Sequence, residues 1–330
     1  MRQLPFSVSA LLLMVQPWLL PATPAALSQE AAWKDLEPIQ ISASAMLFDA
    51  LAAGPEEGEL VLLLHGFPQT SYSLRHQVRA LGEAGYRAVA PDQRGYSPGA
   101  RPSQVADYGM FKVVSDAMAM ADKLGRDRFH LVGHDWGGAV AWAAATQFPN
   151  RIKSLTVLST PHFAAMQAAL AQPDSEQAQR SSYFKVFGAE GAEERFLADD
   201  AAFLRSLFQS GGLSPQDVQV YVEALGTPEA MRAALNWYSA LNLSQSPGPS
   251  SSGQSAPSVP PVRVPTLYIF GSQDGAFSRD TAEATRDYVE GPYQFEVLEG
   301  ISHWVPEQAA KQVNELLLKH IQRNADHEGH

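Results

Sequence analysis

Short apolar runs alternate with segments of helical periodicity along most of the chain. Eight apolar runs predict strands at residues 39–44, 46–51, 59–64, 86–90, 129–132, 155–158, 264–270 and 294–298. Helical spacing of apolar residues predicts helices at residues 73–84, 111–124, 137–148, 279–288 and 306–322. Continuous apolar runs are typical of strands covered by helices on both faces. The pattern therefore predicts an α/β fold with a mostly parallel, doubly wound sheet.

The alternation stops after the sixth predicted strand. From about residue 161 to residue 243 the chain has no strand-like run and is rich in Ala, Glu, Gln and Leu, which predicts an inserted helical cap at residues 163–243. Residues 244–262 are mostly Ser, Pro, Gly and Gln, a composition that predicts a flexible loop. The two parts of the α/β core are then residues 29–162 and 263–322, followed by a charged tail at residues 323–330.

The first 28 residues have the pattern of a signal peptide. A positive charge at Arg2 precedes an apolar stretch at residues 4–20, and small residues suited to cleavage occupy positions 22–28. The alternative is a membrane anchor, but the segment carries Pro17, Pro21 and Pro24 and is shorter than the ~20 unbroken apolar residues of a span. We therefore expect an exported protein, periplasmic or secreted, with no stable membrane span.

Composition excludes several classes of function. The chain has 330 residues, no cysteine and a formal net charge of −11. Disulfides, thiolate nucleophiles and Cys-based metal sites are thus excluded. The negative charge and the scattered Lys and Arg residues argue against nucleic acid as a partner. The oligomeric state leaves no trace in the sequence.

The segment at residues 131–138, Leu-Val-Gly-His-Asp-Trp-Gly-Gly, predicts a sharp turn from a strand into a helix. A central residue flanked by Gly133 and Gly137 is typical of a nucleophile elbow, which lifts that side chain above the sheet. The central residue is Asp135, and a carboxylate attacks saturated carbon to give an alkyl ester that must then be hydrolysed. The alternative is that Asp135 merely caps the helix.

An acid and a histidine follow in the order that an elbow predicts, each after a late strand. Asp274 follows the predicted strand at residues 264–270, and His303 follows the one at residues 294–298. Neutral His303 would take a proton from the attacking water, while Asp274 would hold the imidazole in the useful tautomer. Asp274 has an alternative role as a turn-forming residue.

The segment His-Gly-Phe-Pro at residues 65–68 follows the third predicted strand. In a fold with this elbow, that loop supplies half of an oxyanion hole, and the candidate donors are the backbone N–H groups of Phe67 and Trp136. A plain turn is the alternative. His65 is expected to shape the loop, and His134 and His162 are expected to be buried beside the elbow. The predicted substrate contacts are His65, Pro68, Trp136 and Trp237.

Three motifs together resemble the epoxide hydrolase branch of the α/β-hydrolase superfamily. They are His-Gly-Phe-Pro-Gln at residues 65–69, Asp-Gln-Arg-Gly-Tyr at 92–96 and Gly-His-Asp-Trp-Gly at 133–137, and the likeness covers residues 38–322. The resemblance implies an α/β-hydrolase fold, a small apolar substrate with water, and no metal or organic cofactor. It also implies that two cap tyrosines donate protons to the epoxide oxygen; Tyr183 and Tyr238 match them.

Two other functions remain open at this point. Haloalkane and haloacid dehalogenases share the Asp elbow, but they cradle the halide with N–H donors, and Phe67 offers no side-chain donor where one is needed. A catalytically silent ligand receptor could also keep the fold. The complete set of Asp135, Asp274 and His303 argues against a receptor. Tyr183 and Tyr238 have an alternative role as packing residues of the cap.

Overall fold

The predicted strands form one eight-stranded sheet in the computed structural model, which describes residues 36–245 and 260–325. The strands are β1 (Glu37–Ala43), β2 (Met46–Ala53), β3 (Leu60–Leu64), β4 (Arg87–Pro91), β5 (Phe129–His134), β6 (Ile152–Leu158), β7 (Thr266–Gly271) and β8 (Tyr293–Leu298). Their order is β1-β2-β4-β3-β5-β6-β7-β8. β2 pairs antiparallel with β1 and β4, and all other neighbours pair parallel. The predicted mostly parallel α/β sheet is thus confirmed.

Helices follow the strands and supply the cap. In chain order through the described residues they are α1 (Arg75–Glu83), α2 (Met110–Lys123), α3 (Trp136–Gln147), α4 (Phe163–Leu170), α5 (Glu176–Arg180), α6 (Tyr183–Phe187), α7 (Ala192–Ser210), α8 (Pro215–Leu225), α9 (Pro228–Gln245), α10 (Arg279–Ala284), α11 (Val305–Gln308) and α12 (Ala310–Ala325). Short 3₁₀ helices occupy Ser71–Leu74, Pro98–Ala100, Val105–Tyr108, Pro149–Arg151 and Thr285–Tyr288.

The sheet is covered by two pairs of helices. α1 and α12 pack against each other and on the sheet, and α2 and α3 form a second such pair. Every residue of β3, β4, β5 and β7 is buried as a result. This double covering explains why these strands have continuous apolar runs instead of an alternating pattern.

The cap helices α4 to α9 lie between β6 and β7, where the sequence predicted the insertion. α7 is broken at its middle, where Asp199, Asp200 and Ala201 have φ of 51°, 57° and 58° in the left-handed region. The rings of Phe196 and Phe203 on either side of this break lie 4.9 Å apart. On a continuous helix these positions would be about 10 Å apart along the axis, so the break folds the two halves of α7 together.

Several boundaries differ from the predicted ones for local reasons. The predicted strand at residues 264–270 begins only at Thr266, because Pro265 has no N–H to pair in a sheet. The predicted closing helix is two helices, since Ala309 has φ −120° and ψ 31°, and the second one continues to Ala325, beyond the expected end at residue 322.

Three predicted segments lie wholly or partly outside the described residues. The predicted signal peptide at residues 1–28 lies outside them completely and stays a prediction. Most of the Ser/Pro-rich loop and residues 326–330 of the tail also lie outside. Within the described ranges, none of the helices has the length and apolar character needed to cross a membrane.

A buried ion pair fixes the loop after β4 between the sheet and the cap. The Arg94 guanidinium donates to both oxygens of Asp116 on α2 at 2.7 Å, and the two side chains are only 8% and 3% exposed. The Arg94 carbonyl accepts from the indole N–H of Trp237 on α9 at 2.8 Å. The Asp-Gln-Arg-Gly-Tyr motif therefore connects three separate parts of the chain.

We predict that Asp116→Ala lowers the free energy of unfolding by about 3–5 kcal/mol, because it leaves a buried guanidinium without its carboxylate. Chemical denaturation measures this difference. The control is Glu290→Ala, which breaks the exposed pair with Arg263 and should leave stability unchanged. Equal effects of the two substitutions would contradict the structural role of the buried pair.

Candidate active site

Asp135 occupies a strained turn between β5 and α3, with φ 50° and ψ −118°. A Cβ on Gly133 would lie 2.2 Å from the carbonyl oxygen of Gly137, and one on Gly137 would lie 2.1 Å from that of Leu64. Only glycine fits at either position. The Asp135 carbonyl accepts from the Thr160 hydroxyl at 2.7 Å, which helps to hold the turn. The geometry is that of the predicted elbow.

The Asp135 carboxylate lies against backbone N–H groups at the ends of β3 and β5. Its Oδ1 accepts from the Phe67 amide at 2.8 Å, and the adjacent Trp136 amide helps to lower the pKa of the carboxyl. A Cβ on Gly66 would lie 2.3 Å from the Asp135 Cβ, so glycine permits this close approach. The side chain makes no capping bond to α3, so the helix-cap alternative is wrong. The peptide bond between Phe67 and Pro68 is cis.

His303 lies between the two predicted carboxylates. Its Nε2 is 3.5 Å from Oδ2 of Asp135, and its Nδ1 is 3.0 Å from Oδ2 of Asp274. The second oxygen of Asp274 accepts from the amides of Ala276 and Phe277 at 2.8 and 3.0 Å. Asp274 therefore both closes its own turn and contacts the imidazole, so the two roles considered from sequence coexist.

Two cavities meet at Asp135. The larger has a volume of about 690 Å³ and contains Pro68 and His303 in its walls, whereas the smaller, of about 410 Å³, contains Trp136. Asp135, Tyr183 and Tyr238 line both cavities. The carboxylate is therefore accessible to a small molecule in either cavity.

The two cap tyrosines lie next to each other in the walls of both cavities that reach Asp135. Tyr183 comes from α6 and Tyr238 from α9, and their ring centroids are 6.1 Å apart. The Tyr238 ring also lies 5.1 Å from the ring of Trp136. Burial raises the pKa of both phenols well above the ordinary value, so both stay protonated and can donate hydrogen bonds.

Comparison with known proteins places this arrangement in a family. Residues 59–310 match the family model of the α/β hydrolase fold. The chain is 32% identical to the AB hydrolase superfamily protein YfhM of Bacillus subtilis over 85% of this chain and 96% of that protein. It is 31% identical to Epoxide hydrolase 4 of Mus musculus over 84% of this chain and 77% of the relative. The chain belongs to the epoxide hydrolase branch of the α/β-hydrolase fold family.

Solved structures agree with this assignment. The hydrolase superimposes on epoxide hydrolase VrEH1 of Vigna radiata with a TM-score of 0.73 and 27% identity, covering 88% of this chain and 98% of that one. A second structure, of a novel epoxide hydrolase from metagenomes of hot environments, gives a TM-score of 0.74 with 26% identity over 86% and 98% of the two chains.

The charge on His303 depends on its two carboxylate neighbours. Burial alone lowers the pKa of His303, but the charge of Asp274 and the hydrogen bonds and charge of Asp135 outweigh burial and raise the pKa to about 10. Burial likewise acts to raise the pKa of Asp135, but His303 holds it below the ordinary value. In the free hydrolase, Asp135 is therefore anionic and His303 cationic at neutral pH.

The backbone of His303 is held by two side chains that sequence reasoning did not assign to the site. Its carbonyl accepts from His134 Nε2 at 2.9 Å and from the Ser159 hydroxyl at 3.0 Å. Burial lowers the pKa of His134 to about 4, so its ring is neutral and donates through Nε2. His134 was correctly expected to be buried, but its partner is 169 residues away in the chain. No local pattern signals such a contact.

A cluster of polar side chains, which the sequence did not indicate, connects the loop of Phe67, the loop of His303 and the cap. Glu307 on α11 accepts from Arg75 at 2.7 Å, from Tyr221 of α8 at 3.0 Å and from Gln69 at 2.6 Å. Arg75 also pairs with Asp217 of α8 at 2.8 Å. The only sequence signal is Gln69 in the motif at residues 65–69. The cluster fixes the loop of Phe67 relative to α11, which begins two residues after His303.

Two predicted substrate contacts lie behind the cavity walls. His65 is fully buried, its Nε2 accepts from the Gln93 amide at 3.0 Å, and its Nδ1 lies 3.0 Å from the Gly66 carbonyl. His65 thus shapes the loop, as expected, but lines neither cavity. Trp237 also lines neither cavity, because its ring packs behind Trp136 at 5.5 Å. The prediction that His65 and Trp237 contact the substrate is therefore at odds with their positions outside both cavity walls.

We predict that Asp135→Asn shifts the pKa of His303 from about 10 down toward its ordinary value of 6.5, because a negative charge beside the imidazole is lost. Titration of labelled histidine by NMR measures the change. His162, which burial holds at a pKa of about 4, is an internal control that should not move. An unchanged His303 titration would show that the Asp135 charge does not govern it.

Proposed function

We propose that this hydrolase opens epoxides to vicinal diols through a covalent alkyl ester on Asp135, which a water activated by His303 then hydrolyses. The observation that carries the proposal is the Asp135 carboxylate in the walls of two cavities that Tyr183 and Tyr238 also line, with His303 Nε2 3.5 Å from its Oδ2. The relatives named as epoxide hydrolases support it. Activity is tested with styrene oxide for diol release and with 1-bromobutane for bromide release.

The first step is attack on an epoxide carbon. Because Oδ1 is bonded to the Phe67 amide, Oδ2 is the oxygen left for bond formation. The carbon–oxygen bond of the epoxide breaks as the new ester bond forms, and the departing alkoxide takes a proton from one of the two tyrosines. A phenol with a raised pKa holds its proton until strong negative charge develops on the oxygen, which suits this step.

The second step uses a change in charge that the first step creates. Once Asp135 is an ester, its negative charge no longer raises the pKa of His303, so the imidazole can lose its proton to solvent or to the tyrosinate at neutral pH. Neutral His303 then takes a proton from water as that water attacks the ester carbon. The charge that develops on Oδ1 is stabilised by the amides of Phe67 and Trp136, and the diol leaves with the carboxylate restored.

A dehalogenase would use the same Asp135. A halide leaves without a proton, so it has no use for the pair of buried phenols, and Phe67 lacks a side-chain donor for it. Release of bromide from 1-bromobutane without diol from styrene oxide would support that activity instead. Release of neither product would favour the ligand receptor.

We predict that His303→Gln stops the cycle after the first step, because no base remains to activate water. After exposure to styrene oxide, the intact mass should rise by the mass of one substrate molecule. The double variant Asp135→Asn with His303→Gln is the control and should gain no mass. An unchanged mass of the single variant under saturating substrate would argue against covalent catalysis.

We predict that Tyr183→Phe and Tyr238→Phe each slow ester formation by roughly tenfold and that the double variant slows it by about 10²–10⁴, the range of general acid catalysis. Stopped-flow fluorescence of Trp136, which contacts Tyr238, can follow this step. The matched control is Tyr108→Phe, since that hydroxyl donates to the Pro102 carbonyl away from the cavities. Full activity of the double variant would remove the tyrosines from the mechanism.

A further inference from the structure

A short helix of the cap holds the turn that carries Asp274. This acid turn, residues 274–278, comes after β7 and contributes to the walls of both cavities. Gln177 and Arg180 lie about one helical turn apart on α5, and both bond to the backbone of the acid turn. The position of Asp274 is therefore set by the cap as well as by the sheet.

Gln177 uses its whole carboxamide in this contact, and the residue is only 1% exposed. Its Nε2 donates to the Ala276 carbonyl at 3.0 Å and to the Ser181 hydroxyl at 2.9 Å, and its Oε1 accepts from the Ser278 amide at 2.8 Å. Both hydrogens of the carboxamide nitrogen are thereby used. Ser181 directly follows α5, and Tyr183 begins α6. One buried side chain thus connects the acid turn with the start of the helix that carries Tyr183.

Arg180 adds bonds to the same turn. Its Nη1 donates to the carbonyls of Asp274 and Phe277, the latter at 3.0 Å, and Glu176 pairs with the guanidinium at 2.6 Å. Within the turn, Oδ1 of Asp274 accepts from two backbone amides, while Oδ2 lies 3.0 Å from Nδ1 of His303. Because the carboxylate is bonded to the backbone of its own turn, a shift of that backbone would move Oδ2 relative to the imidazole.

We propose that Gln177 is a positioning residue for both half-reactions, because it holds the acid turn and the start of α6 in one arrangement that places Asp274 and Tyr183 around Asp135. The proposal rests on the proposed epoxide hydrolysis and adds a residue to it. Gln177 lines neither cavity, so it acts only through the groups that it holds. Reacting groups lose much of their effect when a supporting contact is removed and they shift by as little as about 1 Å.

The first test is the titration of His303 in Gln177→Met, which keeps the length of the side chain and removes its three hydrogen bonds. Burial lowers the pKa of His303, and the charge of Asp274 is the largest contribution that raises it. Displacement of Asp274 should therefore lower the His303 titration midpoint by roughly one pH unit, which NMR of labelled histidine measures. Gln179→Met is the matched control, since it makes the same exchange at an exposed position of α5.

The second test follows single turnovers of styrene oxide by rapid-quench mass spectrometry. Gln177→Met should slow both the formation and the hydrolysis of the ester on Asp135 by roughly tenfold to 100-fold, whereas Gln179→Met should slow neither. Ser181→Ala removes only the bond toward α6, so it should slow ester formation and leave ester hydrolysis and the His303 titration unchanged.

A purely structural role for Gln177 would lower the free energy of unfolding without changing the folded site. Titration and single-turnover rates in Gln177→Met equal to those in Gln179→Met would therefore overturn the proposal. If styrene oxide is not turned over by the wild type, the proposed function fails, but the His303 titration still decides whether Gln177 positions Asp274. If Gln177→Met does not fold, Gln177→Asn gives the same titration: a lowered midpoint supports the positioning role, and a midpoint equal to that of Gln179→Met overturns it.

Discussion

The active site depends on keeping an anionic carboxylate buried. Moving a charged carboxylate out of water costs free energy unless hydrogen-bond donors and an opposite charge replace the lost hydration. Asp135 obtains both, from the amides of Phe67 and Trp136 and from protonated His303. Each of these groups comes from a different loop at the same edge of the sheet. Parallel strands bring those loops together, because their carboxyl ends all meet at one edge.

The pairing of Asp135 with His303 also sets the order of the two steps in the proposed mechanism. The charge of Asp135 helps to raise the pKa of His303 to about 10, which disfavours its action as a base. In the proposed mechanism, esterification removes that charge, so the base becomes available only when there is an ester to hydrolyse. In the proposed mechanism, the protein needs no conformational change between the two steps, since the electrostatic change is produced by the chemistry itself.

The cap supplies Tyr183, Tyr238 and other walls of the cavities, and buried polar clusters attach it to the core. Arg94 connects the loop after β4 with α2 and α9. The pair of Arg75 and Glu307 connects α8 with the loops that carry Phe67 and His303. Burial raises the pKa of Glu307 even though its carboxylate pairs with Arg75. Cap position and catalytic geometry are therefore coupled through charged groups.

The sequence by itself determined the α/β class, the place of the cap, the elbow at Asp135 and the order of Asp274 and His303. These features have local signals: continuous apolar runs, a change of periodicity, and glycines on both sides of one residue. The tertiary structure alone decided which side chains line the cavities, and it showed that His65 and Trp237 do not. It also revealed His134, Ser159 and Glu307 as supports of the site. Their partners are distant in the chain, and contacts of that kind arise from packing between elements, which leaves no periodic or compositional pattern to find.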